Sequence, residues 1–178
     1  MKRLLIIASA AAILSVPGLA SAQATTNLTV TASVAAVCTV AATPTLAFGA
    51  YDPVAANAAS PLLGTGLISV TCTKNTSTAR IDLDNGANFN VKRRMEHDTT
   101  INTDFLAYDL FKPVASGAAA NCTTDAWGTG LTDGYSAVAG DFTSALLAVD
   151  FKICGSVPAA QDVATGGYTD TVGVTVNF

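Results

Sequence analysis

Four cysteines, one histidine and one run of adjacent basic residues are the side chains of this sequence with most chemistry to offer. Cys38, Cys72, Cys122 and Cys154 allow three disulfide pairings. Sequential pairing, Cys38 with Cys72 and Cys122 with Cys154, is the favoured arrangement. Each bond would close a loop of about thirty residues and contribute roughly 3–4 kcal/mol by chain entropy, before strain. A zinc site is the rival use of the same residues. It needs closely spaced ligand pairs, and the chain has no C-x-x-C and a single histidine, so no metal is expected.

The other candidates are weaker. His97 stands alone in "KRRMEHDTT", a charged run that reads as a solvated hairpin or loop, with no nucleophile set against it. "DLDNGANFNVKR" begins at Asp82 like a calcium loop. Its glycine comes one position early, and Arg93 stands where a bidentate glutamate is needed. Asp82 and Asp84 are better read as the outward face of a strand. "WGTG" lacks the strand–turn–helix setting of a phosphate loop. Lys92, Arg93 and Arg94 read as a soluble turn. The sequons at Asn27, Asn75 and Asn121 matter only in a glycosylating pathway. The expectation is a protein with no catalytic residue and no cofactor, and therefore not an enzyme.

What must position the cysteines is an exported β-domain. "MKRLLIIASAAAILSVPGLASAQA" has a basic start, an apolar run, a Pro17-Gly18 breaker and an A-x-A site, which together read as a secretory signal peptide cut after Ala22. Export places the cysteines where disulfides persist. The net charge of −4 becomes more negative once Lys2 and Arg3 are removed, which argues against a nucleic-acid partner. The next most apolar stretch, "SALLAVDFKICG", is interrupted by Asp150 and Lys152, so no membrane insertion is expected. Charged residues make up only 12% of the chain, which suits a surface that meets other protein.

Beyond residue 22 the pattern alternates with period two. "TLAFGAYDP" reads as a short strand, residues 54–65 as a loop, and "GLISVTCTK" as a strand with Ile68, Val70 and Cys72 inward. "ARIDLDNG" and "NFNVKRRM" flank Asn85-Gly86 and read as a hairpin with Ile81 and Leu83 inward. "DFLAYDLFKP" puts Leu106, Tyr108 and Leu110 on one face. Residues 113–143 form a long irregular excursion that holds Cys122 and Trp127. "SALLAVDFKICG" aligns Leu147, Val149, Phe151 and Ile153, with Cys154 on the opposite face near the strand end. A bridge from Cys154 to Cys122 would tie the excursion to the sheet. "GGYTDTVGVTVNF" aligns Val172, Val174, Val176 and Phe178. About seven short strands without helical periodicity suggest an immunoglobulin-type β-sandwich.

One strand is left over. "NLTVTASV" alternates Leu28, Val30, Ala32 and Val34 against polar residues, yet no turn signal follows it before Cys38. It either extends the first strand of its own sheet or pairs elsewhere.

In order, "CTV", "LAFGAYDP", "ISVTCTK", "RRM", "LAYDLFKP" and "VPAAQDVATGGYTDTVGVTVNF" resemble the spore coat protein U domain family, which includes subunits of archaic chaperone–usher pili such as Csu pili. The resemblance spans the chain beyond the leader. "FKICGSVPAA" and the pair Cys122/Cys154 depart from many relatives. The resemblance implies an all-β, incomplete immunoglobulin-like sandwich completed by donor-strand exchange. A periplasmic chaperone would fill the groove first. At the outer-membrane usher, the N-terminal strand of a neighbouring subunit would replace it. Residues 1–22 would then be the signal peptide, 23–35 the donor strand and 36–178 the sandwich domain. Leu28, Val30, Ala32 and Val34 would be the inserted face. The implied product is a surface pilus serving adhesion and biofilm formation, with this chain a shaft or adaptor subunit. A spore or cyst coat protein of the same fold and a monomeric secreted binding module are the alternatives.

Overall fold

The computed structural model describes residues 23–42, 45–99, 104–128, 133–138 and 140–178. The expected signal peptide lies outside the described residues. The chain divides into two units, Met1–Ser33 and Val34–Phe178. In the first, residues 23–33 carry no regular secondary structure and are exposed.

The second unit is all-β. Its strands are β1 (Cys38–Ala42), β2 (Leu62–Cys72), β3 (Arg80–Leu83), β4 (Arg93–His97), β5 (Phe105–Phe111), β6 (Tyr135–Ser136), β7 (Val149–Val157), β8 (Tyr168–Thr169) and β9 (Val174–Asn177). They form two sheets, ordered β1-β2-β7-β5-β4-β8 and β6-β3-β9. Every pairing is antiparallel. Among the described residues, no helix is long and apolar enough to cross a membrane.

Alternation selects the core. Ile68, Val70 and Cys72 of β2, Leu106, Tyr108 and Leu110 of β5, and Phe151 and Ile153 of β7 bury the inner face of the larger sheet. Ile81 and Leu83 of β3 cover it from the smaller sheet, and Trp127 and Phe142 enter from the irregular excursion. Each fully buried side chain of this size contributes about 1.5–3 kcal/mol.

Several elements depart from the alternation-based reading. "TLAFGAYDP" makes only an isolated bridge, Ala47 to Thr65, rather than a strand. Gly49 turns the chain at φ +83°, and the Asp52 carboxylate accepts from the N–H groups of Val54 and Ala55. Leu62–Thr65, expected in a loop, open β2. β3 and β4 are not a hairpin. β3 pairs with β6 and β9, and β4 with β5 and β8, so residues 84–92 cross between sheets. Asp82 does not face outward; it is fully buried, its Oδ2 accepting from Arg80 and from Asn177 Nδ2. Leu147 precedes β7 in an exposed turn, and Cys154 lies in mid-strand opposite Thr65 and Phe111.

Two polar residues expected in solvent are also interior. Arg93 is buried, its guanidinium donating to the carbonyls of Leu83, Asp84, Trp127 and Gly128. Burial pulls its pKa down, while Tyr108 and the carboxylates of Asp84, Asp170 and Asp109 pull it back up. His97 is buried edge-on to the Tyr168 ring. Its Nδ1 accepts from Thr99 N–H, which leaves Nε2–H to donate to the Thr165 carbonyl.

Candidate strand-acceptor cleft

β1 and β9 are edges of opposite sheets, and they approach each other across the sandwich. In β1, Val40 lies directly opposite Val70 and so shares its core-facing side. Val70 is 0% exposed, yet Val40 is 39% exposed. On β9, Val174 and Val176 face the core opposite Leu83 and Ile81, yet they are only half-buried. Inward apolar side chains that stay wet along two free edges mark a place where the sandwich lacks cover.

Next to β9 lies an open cleft of about 300 Å³, walled by Thr45, Leu46 and Phe48 on one side and by residues 168–172 and Val174 on the other. Ile68, Leu83, Leu110 and Ile153 of the core line it. A second cleft of about 840 Å³ shares Thr45, Leu46, Phe48, Met95 and Tyr168, and continues along residues 49–54 and 162–167. Both lie within the unit Val34–Phe178.

Each wall has a specific support. Leu46 and Phe48 rest on a bed of Gly64, Gly66 and Gly155, where a Cβ on Gly155 would come within 2.6 Å of Phe48 Cζ. The Phe48 ring also packs on Tyr108 at 6.0 Å between centroids. Glycine inside a strand often marks such close approach, and this was the available sequence signal for the bed.

The opposite wall crosses between sheets at residues 170–173. It is held by two carboxylates. Asp170 Oδ1 accepts from Ala87 and Asn88 N–H, and its Oδ2 accepts from Tyr108 O–H at 2.7 Å. Asp84 Oδ1 accepts from Gly86 and Gly173 N–H. Burial, followed by the bond to Asp170, pushes the Tyr108 phenol well above its ordinary pKa, so it remains a donor. The sequence reading missed the roles of Asp84, Asp170 and Arg93, because their partners come from distant segments.

The structure places the cysteines in two bonds. Cys38–Cys72 joins a directly opposite pair of β1 and β2, with 4.1 Å between Cα atoms. Cys122–Cys154 ties the excursion to β7, with 5.3 Å between Cα atoms. The bond at β1 is a staple across an edge strand that pairs with β2 on one side only.

The four apolar residues of "NLTVTASV" are all exposed, Leu28 by 87% and Val30 by 83%. No group of three or more His, Cys, Asp or Glu among the described residues could hold a metal. The cleft therefore offers a lining of core residues with polar Thr45, Thr169, Asp170 and Thr171 at its walls, next to β9, which among the described residues has a strand neighbour on one side only. Those features suit an extended peptide added as a strand.

Comparison with known proteins places the chain in a family and a fold. Residues 24–175 match the Spore Coat Protein U domain. Protein U of Myxococcus xanthus is 37% identical over 184 aligned positions, covering 97% of this chain and 94% of the relative. Among solved structures, the crystal structure of the CsuC-CsuE chaperone-tip adhesion subunit pre-assembly complex, from archaic chaperone-usher Csu pili of Acinetobacter baumannii, aligns at a TM-score of 0.53 and 24% identity. The alignment covers 82% of this chain and 40% of that one, so the shared feature is the fold.

Proposed function

The chain belongs to the Spore Coat Protein U domain family, and from that premise we propose that it is a structural subunit of a surface pilus, assembled by donor-strand complementation. Residues 36–178 form the acceptor domain. Residues 23–35 form the donor, inserting Leu28, Val30, Ala32 and Val34 into the cleft of a neighbouring copy. A periplasmic chaperone occupies the cleft before that, and an outer-membrane usher exchanges the two strands. Residues 1–22 direct export and are removed after Ala22, so the subunit passes through the periplasm to the cell surface. Adhesion and biofilm formation follow from the fibre.

The observation that carries the reading is the half-exposed inward face of β1 and β9, with an open cleft floored by core residues next to β9. Left open, such an edge invites uncontrolled pairing. A strand laid there gains backbone hydrogen bonds along its length. It also buries Leu28, Val30 and Val34 for about 1.5–3 kcal/mol each. The alternation sets its register, since a slip of one residue would turn threonine and serine inward.

Deleting residues 25–34 tests it. The shortened mature chain should stay folded and form no fibres by electron microscopy. Normal fibres from the deleted chain would overturn the proposal. N-terminal sequencing of the exported protein should begin at Gln23.

A second reading has its own support. The match to Protein U covers 97% of this chain, and the family is named for a spore coat. A coat protein would use the same cleft and strand. Immunogold labelling separates the two: fibres on growing cells support the pilus, and a layer confined to spores supports the coat.

A further inference from the structure

Two exposed leucines lie at the end of the sandwich from which the N-terminal residues depart. Leu146 is 91% exposed and Leu147 is 64% exposed, in the turn before β7. Their position follows from register. Val40 of β1 lies opposite Val70 of β2, and Val70 lies opposite Val149 of β7. Both pairings are antiparallel, so β1 and β7 run in the same direction. The residues before β1 and those before β7 therefore leave the sheet at the same end. Val37, also exposed, is at that end, its carbonyl accepting from Thr73 N–H at 2.9 Å. The turn carrying exposed Val138 is there too, through Asn75 N–H donating to Phe142 O at 2.8 Å and Asp141 N–H to Val138 O.

We infer that Leu146 and Leu147, with Val138 and Val37 at the same end, form a second contact between successive copies, packing against the copy that receives the donor strand. This rests on the strand-donation reading. The tether decides the occupant. Val34, the last donor residue, is three positions from Val37, a reach of about 10 Å when extended. β7 lies two strands from β1, again about 10 Å. A copy holding residues 28–34 is thus kept within reach of this end by the covalent chain. Among the described residues, nothing else brings a partner to these leucines. Thr73 already fixes the departure of the chain, its Oγ1 accepting from Val37 N–H and donating to Ala35 O, and the contact adds a second point of attachment beside the strand.

Hydroxyl-radical footprinting of the full mature chain, before and after assembly, tests the contact. Leu28, Leu146 and Leu147 should all lose reactivity in the polymer. The double variant L146S/L147S should keep the wild-type melting temperature, since neither side chain is in the core. Its polymer should release subunits about tenfold faster under chase with a peptide of residues 25–36, the factor that corresponds to 1.4 kcal/mol. Protection of Leu28 with Leu146 and Leu147 still reactive overturns the contact and leaves strand donation standing. Unchanged release by the variant also overturns it, since protection would then be mere proximity. Loss of protection at Leu28 itself removes strand donation and this inference with it.

Discussion

The two sides of the sandwich are closed by different means. On one side the chain covers itself. Beyond Tyr108, β5 has no pairing to β4, and the excursion takes that edge through Trp127 N–H to Leu110 O and Lys112 N–H to Asp125 O. The same excursion supplies β6 to β3 and so bridges both sheets. It buries Trp127, Ala137 and Phe142, and it is fastened by Cys122–Cys154, by Lys112 to Asp125 and Asp133, and by Arg93. On the other side β1 and β9 face each other with valines half exposed, and among the described residues no strand pairs with either on that side. An irregular segment can seal a sandwich if its polar groups are met one by one. An uncovered edge with alternating apolar residues calls instead for a strand.

The largest test strikes the covered side. Arg93→Met should cost about 3–5 kcal/mol, because the carbonyls of Leu83, Asp84, Trp127 and Gly128 lose a charged donor together in a buried site. Denaturant unfolding measures it. A loss under 1 kcal/mol would mean that the excursion is held without Arg93, by its disulfide, Lys112 and its buried side chains, and the contrast between the two sides would weaken.

Next comes the staple of the open side. Replacing Cys38 and Cys72 together by serine should cost roughly 3 kcal/mol by loop entropy. It should also weaken binding of a peptide of residues 25–36 beyond what the stability loss explains, since β1 is an edge strand that leads into the Thr45–Phe48 wall of the cleft. The matching Cys122/Cys154 replacement should destabilise the fold comparably and leave peptide affinity nearly unchanged. Equal effects on affinity would erase the distinction. Gly155→Ala is subtler. Its methyl group would meet Phe48 and Leu46 and shift that wall, costing about 1–3 kcal/mol by overpacking. The peptide should bind more weakly while the Trp127 fluorescence spectrum stays as in the wild type.

The contrast was only half legible in the sequence. Alternation identified Ile68, Val70, Leu106, Tyr108, Leu110, Phe151 and Ile153 as core, because a period of two depends on nothing but the local chain. It failed where partners are remote. Arg93 and His97 look like surface charge until the carbonyls of Trp127, Gly128 and Thr165 arrive from elsewhere to accept their hydrogen bonds. Asn85-Gly86 announces a turn, with Gly86 at φ +80°, but not the sheet to which the chain returns. Leu147 matched the β7 pattern by spacing alone, although the strand starts only at Val149.

The smallest effect is electrostatic and belongs to the covered side. The Lys112 ammonium, then the Gly128 N–H, hold the Asp133 carboxyl below its ordinary pKa of 3.8. Burial works against the Lys112 charge, but its bonds to Asp133 and Asp125 outweigh burial and raise its pKa. A carboxylate with a depressed folded pKa stabilises above the unfolded value, and the gain is lost as pH falls through the lower folded one. An ammonium with a raised pKa stabilises below its unfolded value, and that gain is lost as pH rises through the folded one. The excursion should therefore loosen at both extremes, first at Gly128, whose N–H donates to Asp133 Oδ2 at 2.8 Å. Because Asp133 is half exposed, the effect is under about 1 kcal/mol. It should appear as an acid-side shift of the Gly128 amide resonance that is absent in Asp133→Asn. A transition of the same size at Val40 or Val176 would mean that the two sides titrate as one body, and that the open edge is coupled to the excursion through the sheets.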